Sequence, residues 1–301
     1  MGALIATLAT SLLAICVTVV ATMGISLIFK TSTTTNFAQG SIAAFGCYIT
    51  TYFTCNAGWN FWLCCVLGLV VGIAFGLFVD AVIFRHGRAV NAVGKQIITM
   101  GLVSLIIGVI PVVFGANEAP KIPSFMEGNL IFDLFGSEIS FTYHSLICAA
   151  ITVVAIAVIF LLLKFSKWGL AVRATASNET TADLMGVNTH AITAITWAIA
   201  GGLGVLAAIM LAGGTGQLTS TFMTRYQVNA FLAGILGGFS TFYGPVIGAV
   251  IIPLAMSFVG FFDNFIDGIL NWNEVIVYLF LLIAILIKPQ GLFGKKVAKK
   301  V

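Results

Sequence analysis

The stretch Lys164–His190, KFSKWGLAVRATASNETTADLMGVNTH, is a polar interruption in a chain that otherwise reads as membrane-spanning helix and short turns. Its middle reads as one short helix. Ser177 or Asn178 can cap it, Glu179 suits the positive end of the helix dipole, and Gly186 can stop it. Ala182, Leu184 and Met185 would give that element small and apolar contact atoms. A membrane protein that keeps such an element in water has reason to present it to a partner. The competing reading is a long solvated loop with no partner.

The rest of the chain sets this segment apart. It is 60% hydrophobic and 8% charged, where a soluble domain carries about a quarter charged residues. The fold class is therefore all-α, a polytopic membrane protein. The spans begin almost at Met1 with no basic region ahead of them, so Leu4–Phe29 is expected to be a retained span and not a cleaved signal. Cys16, Cys47, Cys55, Cys64, Cys65 and Cys148 fall in apolar surroundings without metal-ligand spacing and read as small buried hydrophobes. His86, His144 and His190 pair with no cysteine or carboxylate cluster, and no nucleophile elbow, Walker loop or HExxH occurs. The chain does not read as an enzyme, and neither a metal nor another cofactor is expected. The net charge of +4 does not point to nucleic acid, because the basic residues sit in loops and the tail.

Outward from the central segment, the expected spans are Leu4–Phe29, Phe37–Phe53, Phe61–Phe84, Ile97–Phe114, His144–Leu163, Ala191–Leu211, a short or broken helix Gln227–Leu236, a helix running from about Pro245 to Val259, and Val275–Ile287. Asn36, Gln39 and Gly40 interrupt the start of the second. Two amides facing lipid would be costly, so they should face protein or a water-filled path. The alternative is a helix cap whose amides stay at the headgroup level. Gly68, Gly72 and Gly76 share one face of the third span, the small-xxx-small pattern that allows close helix approach. Asp80 precedes Arg85, His86 and Arg88 and suggests a headgroup or ion-pair role. Pro120 and Pro123 make regular structure unexpected in the loop Asn117–Phe141. Gly237 and Gly238 open a turn after the broken helix. With Asn36, Gln39, Gly40 and Asn229 they are candidates for the wall of a translocation path.

Arg85, Arg88 and Lys95 lie in one loop, Lys164, Lys167 and Arg173 in the central segment, and Lys288, Lys295, Lys296, Lys299 and Lys300 in the tail. The positive-inside rule makes all three cytoplasmic, which gives nine crossings with the N-terminus outside and the C-terminus inside, or eight if the broken element is re-entrant. With nine, the spans before and after the fifth run in opposite senses, and in each half the second element is the interrupted one. That is the layout of an inverted repeat with broken helices. The whole chain, 1–301, reads as one transmembrane domain containing the 164–190 segment.

NFAQGSIAAFGCY (36–48), RATASNETTADLMGVN (173–188), FLAGILGGFSTFYGPVIGA (231–249) and KPQGLFG (288–294) follow one another in the order found in the LivH-type permease subunits of branched-chain amino acid ABC importers, and the chain resembles that family over nearly its whole length. The resemblance implies a subunit of a prokaryotic plasma (inner) membrane that pairs with a second, homologous permease, sits on two cytoplasmic ATP-binding subunits, and receives cargo from an extracytoplasmic substrate-binding protein. It also implies that the central segment holds a coupling helix docking in an ATPase groove. That role is carried to Glu179, Ala182, Asp183 and Gly186, with Arg173 nearby as a salt-bridge donor. Related permeases for urea, short amides or other amino acids give the same signals. An ion-coupled carrier would need embedded carboxylates, for which Asp80 is the sole candidate, and a scaffold would leave the amides and broken helices unexplained.

Overall fold

The computed structural model describes residues 2–32, 34–85, 90–115, 121–134, 137–216 and 218–294. The basic tail with Lys295, Lys296, Lys299 and Lys300, the His86 and Arg88 part of the basic loop, and Asn117, Glu118 and Pro120 lie outside the described residues. The helices are α1 (Gly2–Thr10), α2 (Leu12–Ser32), α3 (Gln39–Thr51), α4 (Phe61–Phe78), α5 (Ala92–Phe114), α6 (Tyr143–Phe165), α7 (Lys167–Ser177), α8 (Glu179–Leu184), α9 (Thr189–Thr215), α10 (Thr224–Gly237), α11 (Tyr243–Phe261) and α12 (Asn273–Ile287). Among the described residues, seven helical stretches are long and apolar enough to cross a membrane: α2, α4 with its extension to Phe84, α5, α6, α9, α11, and 269–287 ending in α12. The protein is an all-α polytopic membrane protein.

Helices α2 and α9 form the centre. They pack on each other, and most of each is buried inside the bundle. Around them the neighbours exchange in pairs: α4 and α3 pack on α9, while α11 and α10 pack on α2. Glycines set these approaches. A methyl group on Gly72 or Gly76 of α4 would run into the backbone carbonyls of Gly201 or Trp197 of α9, and one on Gly248 of α11 would meet the carbonyl of Ala233 of α10. The spaced glycines expected on the third span are thus the seam of α4. The outer faces of α5, α6 and α12 are largely exposed and apolar, as lipid contact requires.

Outside the central segment, the secondary structure departs from the sequence reading at the first span, at the 117–141 loop and at the ends of two helices. The first expected span is divided at Ser11, where the hydroxyls of Thr10 and Ser11 bond to the carbonyls of Thr7 and Leu8, both at 2.6 Å, and compete with helix continuation. Helix α1 packs instead on a β-hairpin and α11. That hairpin, β1 (Asn129–Leu134) paired antiparallel with β2 (Ser137–Thr142), occupies the loop expected to be irregular. Pro123 precedes the strands and therefore removes no ladder donor. Finally, α3 and α4 both end in π-helical turns, Tyr52–Asn56 and Val79–Phe84, with no signal in the sequence.

One end of the bundle gathers the end of α2, the starts of α5 and α9, and α8 around a single cavity. At the same end Lys30 of α2 donates to Ser240 O at 2.5 Å, and the 288–294 segment closes over α10: the Leu292 and Phe293 N–H groups donate to Leu236 O (2.7 Å) and Gly237 O (3.1 Å). The opposite end gathers α1, the hairpin, and the junction of α6 with α9.

Candidate functional site

Two helices start inside the bundle. After α2 ends, residues 34–36 and Ala38 are buried, and α3 begins beside the middle of α9. Gln39 donates through Nε2 to Ala200 O and accepts through Oε1 from Asn36 Nδ2 (3.2 Å), while Asn36 Oδ1 accepts the Ala38 N–H at 2.9 Å. From the other side Gln227 of α10 donates through Nε2 to Asn36 O at 3.0 Å. Its Oε1 is buried with no partner among the described residues and lies beside Gly40. Gly40 is what lets the first turns of α3 and α10 touch: a Cβ there would press on Gln227 and on Met223 O.

This meeting point places Asn36, Gln39 and Gly40 together, inside protein. Asn36 is 1% and Gln39 2% exposed. In this conformation the amides act as struts joining three elements, which satisfies the demand that interrupted helices within a membrane have internal partners. The sequence reading missed Gln227. A second buried glutamine at the start of the second broken helix, matching Gln39 at the start of the first, was the available signal.

The other path candidates lie elsewhere. Asn229, two residues beyond Gln227, turns toward α12, where it accepts from Tyr278 Oη at 2.6 Å, and its amide approaches Met256 Sδ at 3.9 Å. It lines a cavity of about 270 Å³ with Ser11, Tyr226, Met256 and Leu270, beside the ion pair of Arg225 with Glu274 at 2.5 Å. Gly237 and Gly238 sit at the far end of α10. Gly237 makes close backbone contact with Gly244, and Gly238 (φ 90°) turns the chain under the 288–294 segment. They serve packing and a turn, and neither faces the Asn229 cavity.

The 164–190 segment holds two helices where one was expected. Ser166 caps α7, accepting the Gly169 N–H at 2.9 Å, and Asn178 caps α8, accepting the Thr181 N–H at 3.0 Å. Gly169, Val172 and Thr175 bury one face of α7, and Gly169 allows α7 to cross tightly over the last carbonyls of α6. Arg173 donates to Leu163 O, one of those carbonyls. That bond caps α6, as suits a cation at a helix C-terminus. Glu179 and Asp183 are exposed, and Thr189 Oγ1 reaches Asp183 Oδ1 at 3.5 Å. Gly186 adopts φ 84°, the left-handed conformation of a helix stop, and Asn188 then caps α9. Ala182 is 6% exposed and faces its own chain, whereas Leu184 and Met185 are 83% and 80% exposed. This pair is the outward apolar surface at the end of α8, apart from Phe165 and Leu170, which the segment also exposes, at 72% and 63%.

Asp80 is 9% exposed. The π-helical turn of 79–84 carries it into the wall of a cavity of about 270 Å³ that also meets Lys95, His190 and Glu179, the first residue of α8. A mixed-charge cavity thus lies at the root of the α8 element. Five cysteines are buried; Cys55 is exposed, with its Sγ 3.6 Å from Lys121 O.

A family model for the branched-chain amino acid transport system permease component matches residues 7–286. The chain is similar to a probable branched-chain amino acid transport permease protein LivH of Methanocaldococcus jannaschii, 26% identical over 288 residues that cover 90% of this chain and 87% of that protein. It is similar to the high-affinity branched-chain amino acid permease LivH of Escherichia coli K12, 23% identical over 284 residues, covering 88% of this chain and 87% of the relative. A more distant likeness is to the autoinducer 2 import permease LsrC of Escherichia coli HS, 26% identical over 232 residues, covering 76% of this chain and 63% of the relative. No solved structure matches. Because the family model spans nearly the whole sequence, the chain belongs to the family of permease components of branched-chain amino acid transport systems.

Proposed function

We propose that this chain moves branched-chain aliphatic amino acids into the cytoplasm of a prokaryote as one of two homologous permease subunits. Two cytoplasmic ATP-binding subunits energise the pair, and an extracytoplasmic binding protein loads it. As a family member the chain is a permease subunit of an ABC transporter and carries no ATPase domain of its own. The cargo assignment rests on relatives whose names specify branched-chain amino acids. The likeness to an autoinducer 2 import permease keeps other small polar cargo as the second reading.

The observation that carries the coupling role is the exposure of Leu184 and Met185 at the end of a capped helix that is otherwise anchored to the bundle. Docking of this pair in an ATPase groove would move α8. The move would pass through Gly186 to Asn188 and into α9, whose Ala200 carbonyl holds Gln39 at the start of α3. Glu179 and Asp183 flank the contact, Ala182 and Arg173 hold the element against its own chain, and the whole chain acts as one permease domain. The path would open by separating the first turns of α3 and α10, at Asn36, Gln39, Gly40 and Gln227. Asn229 would line the approach, and Gly237 and Gly238 would let the far end of α10 pivot.

Nine crossings, α3 and α10 included, best fit the gathering of helix ends, with the N-terminus outside and the basic ends at Arg85, Lys95, Lys164 and Lys288 inside. The exchange of neighbours about α2 and α9 supports an inverted repeat of α2–α5 and α9–α12.

The test is purification of the gently solubilised protein from its native cells, wild type against Leu184→Glu with Met185→Glu. ATP-binding subunits should accompany the wild type and be lost from the variant, while the permease keeps its thermal midpoint. Equal retention by the variant would refute the coupling role.

A further inference from the structure

A groove of about 510 Å³ runs between the end of α6, α7 and the turn joining α10 to α11. Lys164 and Arg173 stand on one side, and Ser240, Thr241 and Tyr243 on the other. None of its lining residues is acidic, in contrast to the neighbouring cavity at the same end, which holds Asp80 and Glu179. Its floor includes Phe160, a turn deeper in α6 than Lys164. The same end of α6 exposes Leu161 (55%) and Phe165 (72%), so the floor lies at hydrocarbon depth and the cations at the membrane surface.

The geometry points to a binding site for the headgroup of an anionic phospholipid. A phosphodiester would sit between Lys164 and Arg173. Arg173 gives one N–H to Leu163 O, and the guanidinium fork carries five, so donors remain for a phosphate oxygen. Lys164 lies over the Phe165 ring at 5.1 Å, its stem along apolar surface and its ammonium at headgroup level. Ser240 and Tyr243 bring hydroxyls to the opposite rim, suited to a polyol headgroup such as glycerol. An acyl chain would follow Phe160 along the exposed side of α6. The apolar floor favours a lipid over free phosphate, and basic pockets between spanning helices at the cytoplasmic surface take anionic headgroups. The bound headgroup would join α7 to the α10–α11 turn, two elements that otherwise face each other across the groove.

The experiment is native mass spectrometry of the full chain released from mixed micelles, titrated with phosphatidylglycerol, phosphatidylcholine or inorganic phosphate. One phosphatidylglycerol per chain should be retained in preference to phosphatidylcholine, and inorganic phosphate in excess should not displace it. Lys164→Gln and Arg173→Gln should each weaken retention about fivefold, while Lys167→Gln, at an exposed cation outside the groove, should not. Equal retention of the two lipids, or an equal loss in Lys167→Gln, would overturn the site. Displacement by inorganic phosphate would reassign it to a soluble anion. Lys164 is exposed and bears on no helix packing, so its variant keeps the test decisive if Arg173→Gln does not fold.

Discussion

Replacing Gln39 by methionine keeps the length and most of the volume of the side chain and removes both of its hydrogen-bonding groups. Two bonds disappear, Nε2–H to Ala200 O and Asn36 Nδ2–H to Oε1. Hydrogen bonds between membrane helices contribute about 0.6 kcal/mol on average and reach about 1.7, so the pair accounts for roughly 1–3 kcal/mol. The orphaned Asn36 amide, on a residue 1% exposed, adds a desolvation penalty of about 1–3 kcal/mol. Ala200 O keeps its place in the α9 ladder and adds little. A total of about 2–6 kcal/mol is expected, shared between the lost bonds and the orphan. The assay is reversible unfolding of the purified protein in mixed micelles with increasing SDS. A double-mutant cycle with Asn36→Ala separates the terms: once Asn36 has no amide to strand, Gln39→Met should cost about 1–2 kcal/mol less. A single-variant loss under about 0.5 kcal/mol, or additivity within that margin, would refute the strut.

Gly76→Val should destabilise by about 1–3 kcal/mol or more, because the added carbons meet the Trp197 carbonyl and not a side chain that can yield; Gly101→Ala, with open space around it, should be stabilising by about 0.5–1 kcal/mol in the same unfolding assay. Gly186→Ala should cost about 1–2 kcal/mol through the left-handed backbone alone, and hydrogen exchange should report the loosening at Met185–Val187 before any change in α2 or α9. His144 accepts the Phe125 N–H through Nδ1 at 3.1 Å and donates through Nε2 to Met210 O at 2.8 Å, tying the segment before the hairpin to α9. His144→Leu should speed exchange of the Phe125 amide while leaving that of α2 unchanged.

Hydropathy located the seven long spans because each is apolar over its length, and the α4 glycines were legible because close packing needs them at helical spacing. The caps at Asn178 and Gly186 were legible for a similar reason, since both act on their own chain. What was not legible depends on distant partners. The bond of Arg173 to Leu163 O is invisible until the end of α6 is placed beneath it, and Ala182 reads as an outward contact until α8 is folded against its own chain. Helix α7 escaped notice because its buried face, Gly169, Val172 and Thr175, is neither long nor strongly apolar. Gln227 is visible as a residue, but its role requires Asn36, remote in sequence, to be brought beside it. The cargo is a different matter: apart from Gln227 Oε1, the amides of Asn36, Gln39 and Gln227 are engaged in holding helices, so little of this conformation reports on what passes between them.

The contact between Gln39 and Ala200 spans 161 positions of the chain. At a synthesis rate of about 5–20 residues per second, the acceptor emerges roughly 8–30 s after the donor. Through that interval the first half of the protein must enter the membrane with its amides lacking their eventual partners. Insertion of α9 is then the step at which the bundle can first close, and a nascent chain stalled before Ala200 should remain a client of the insertion machinery.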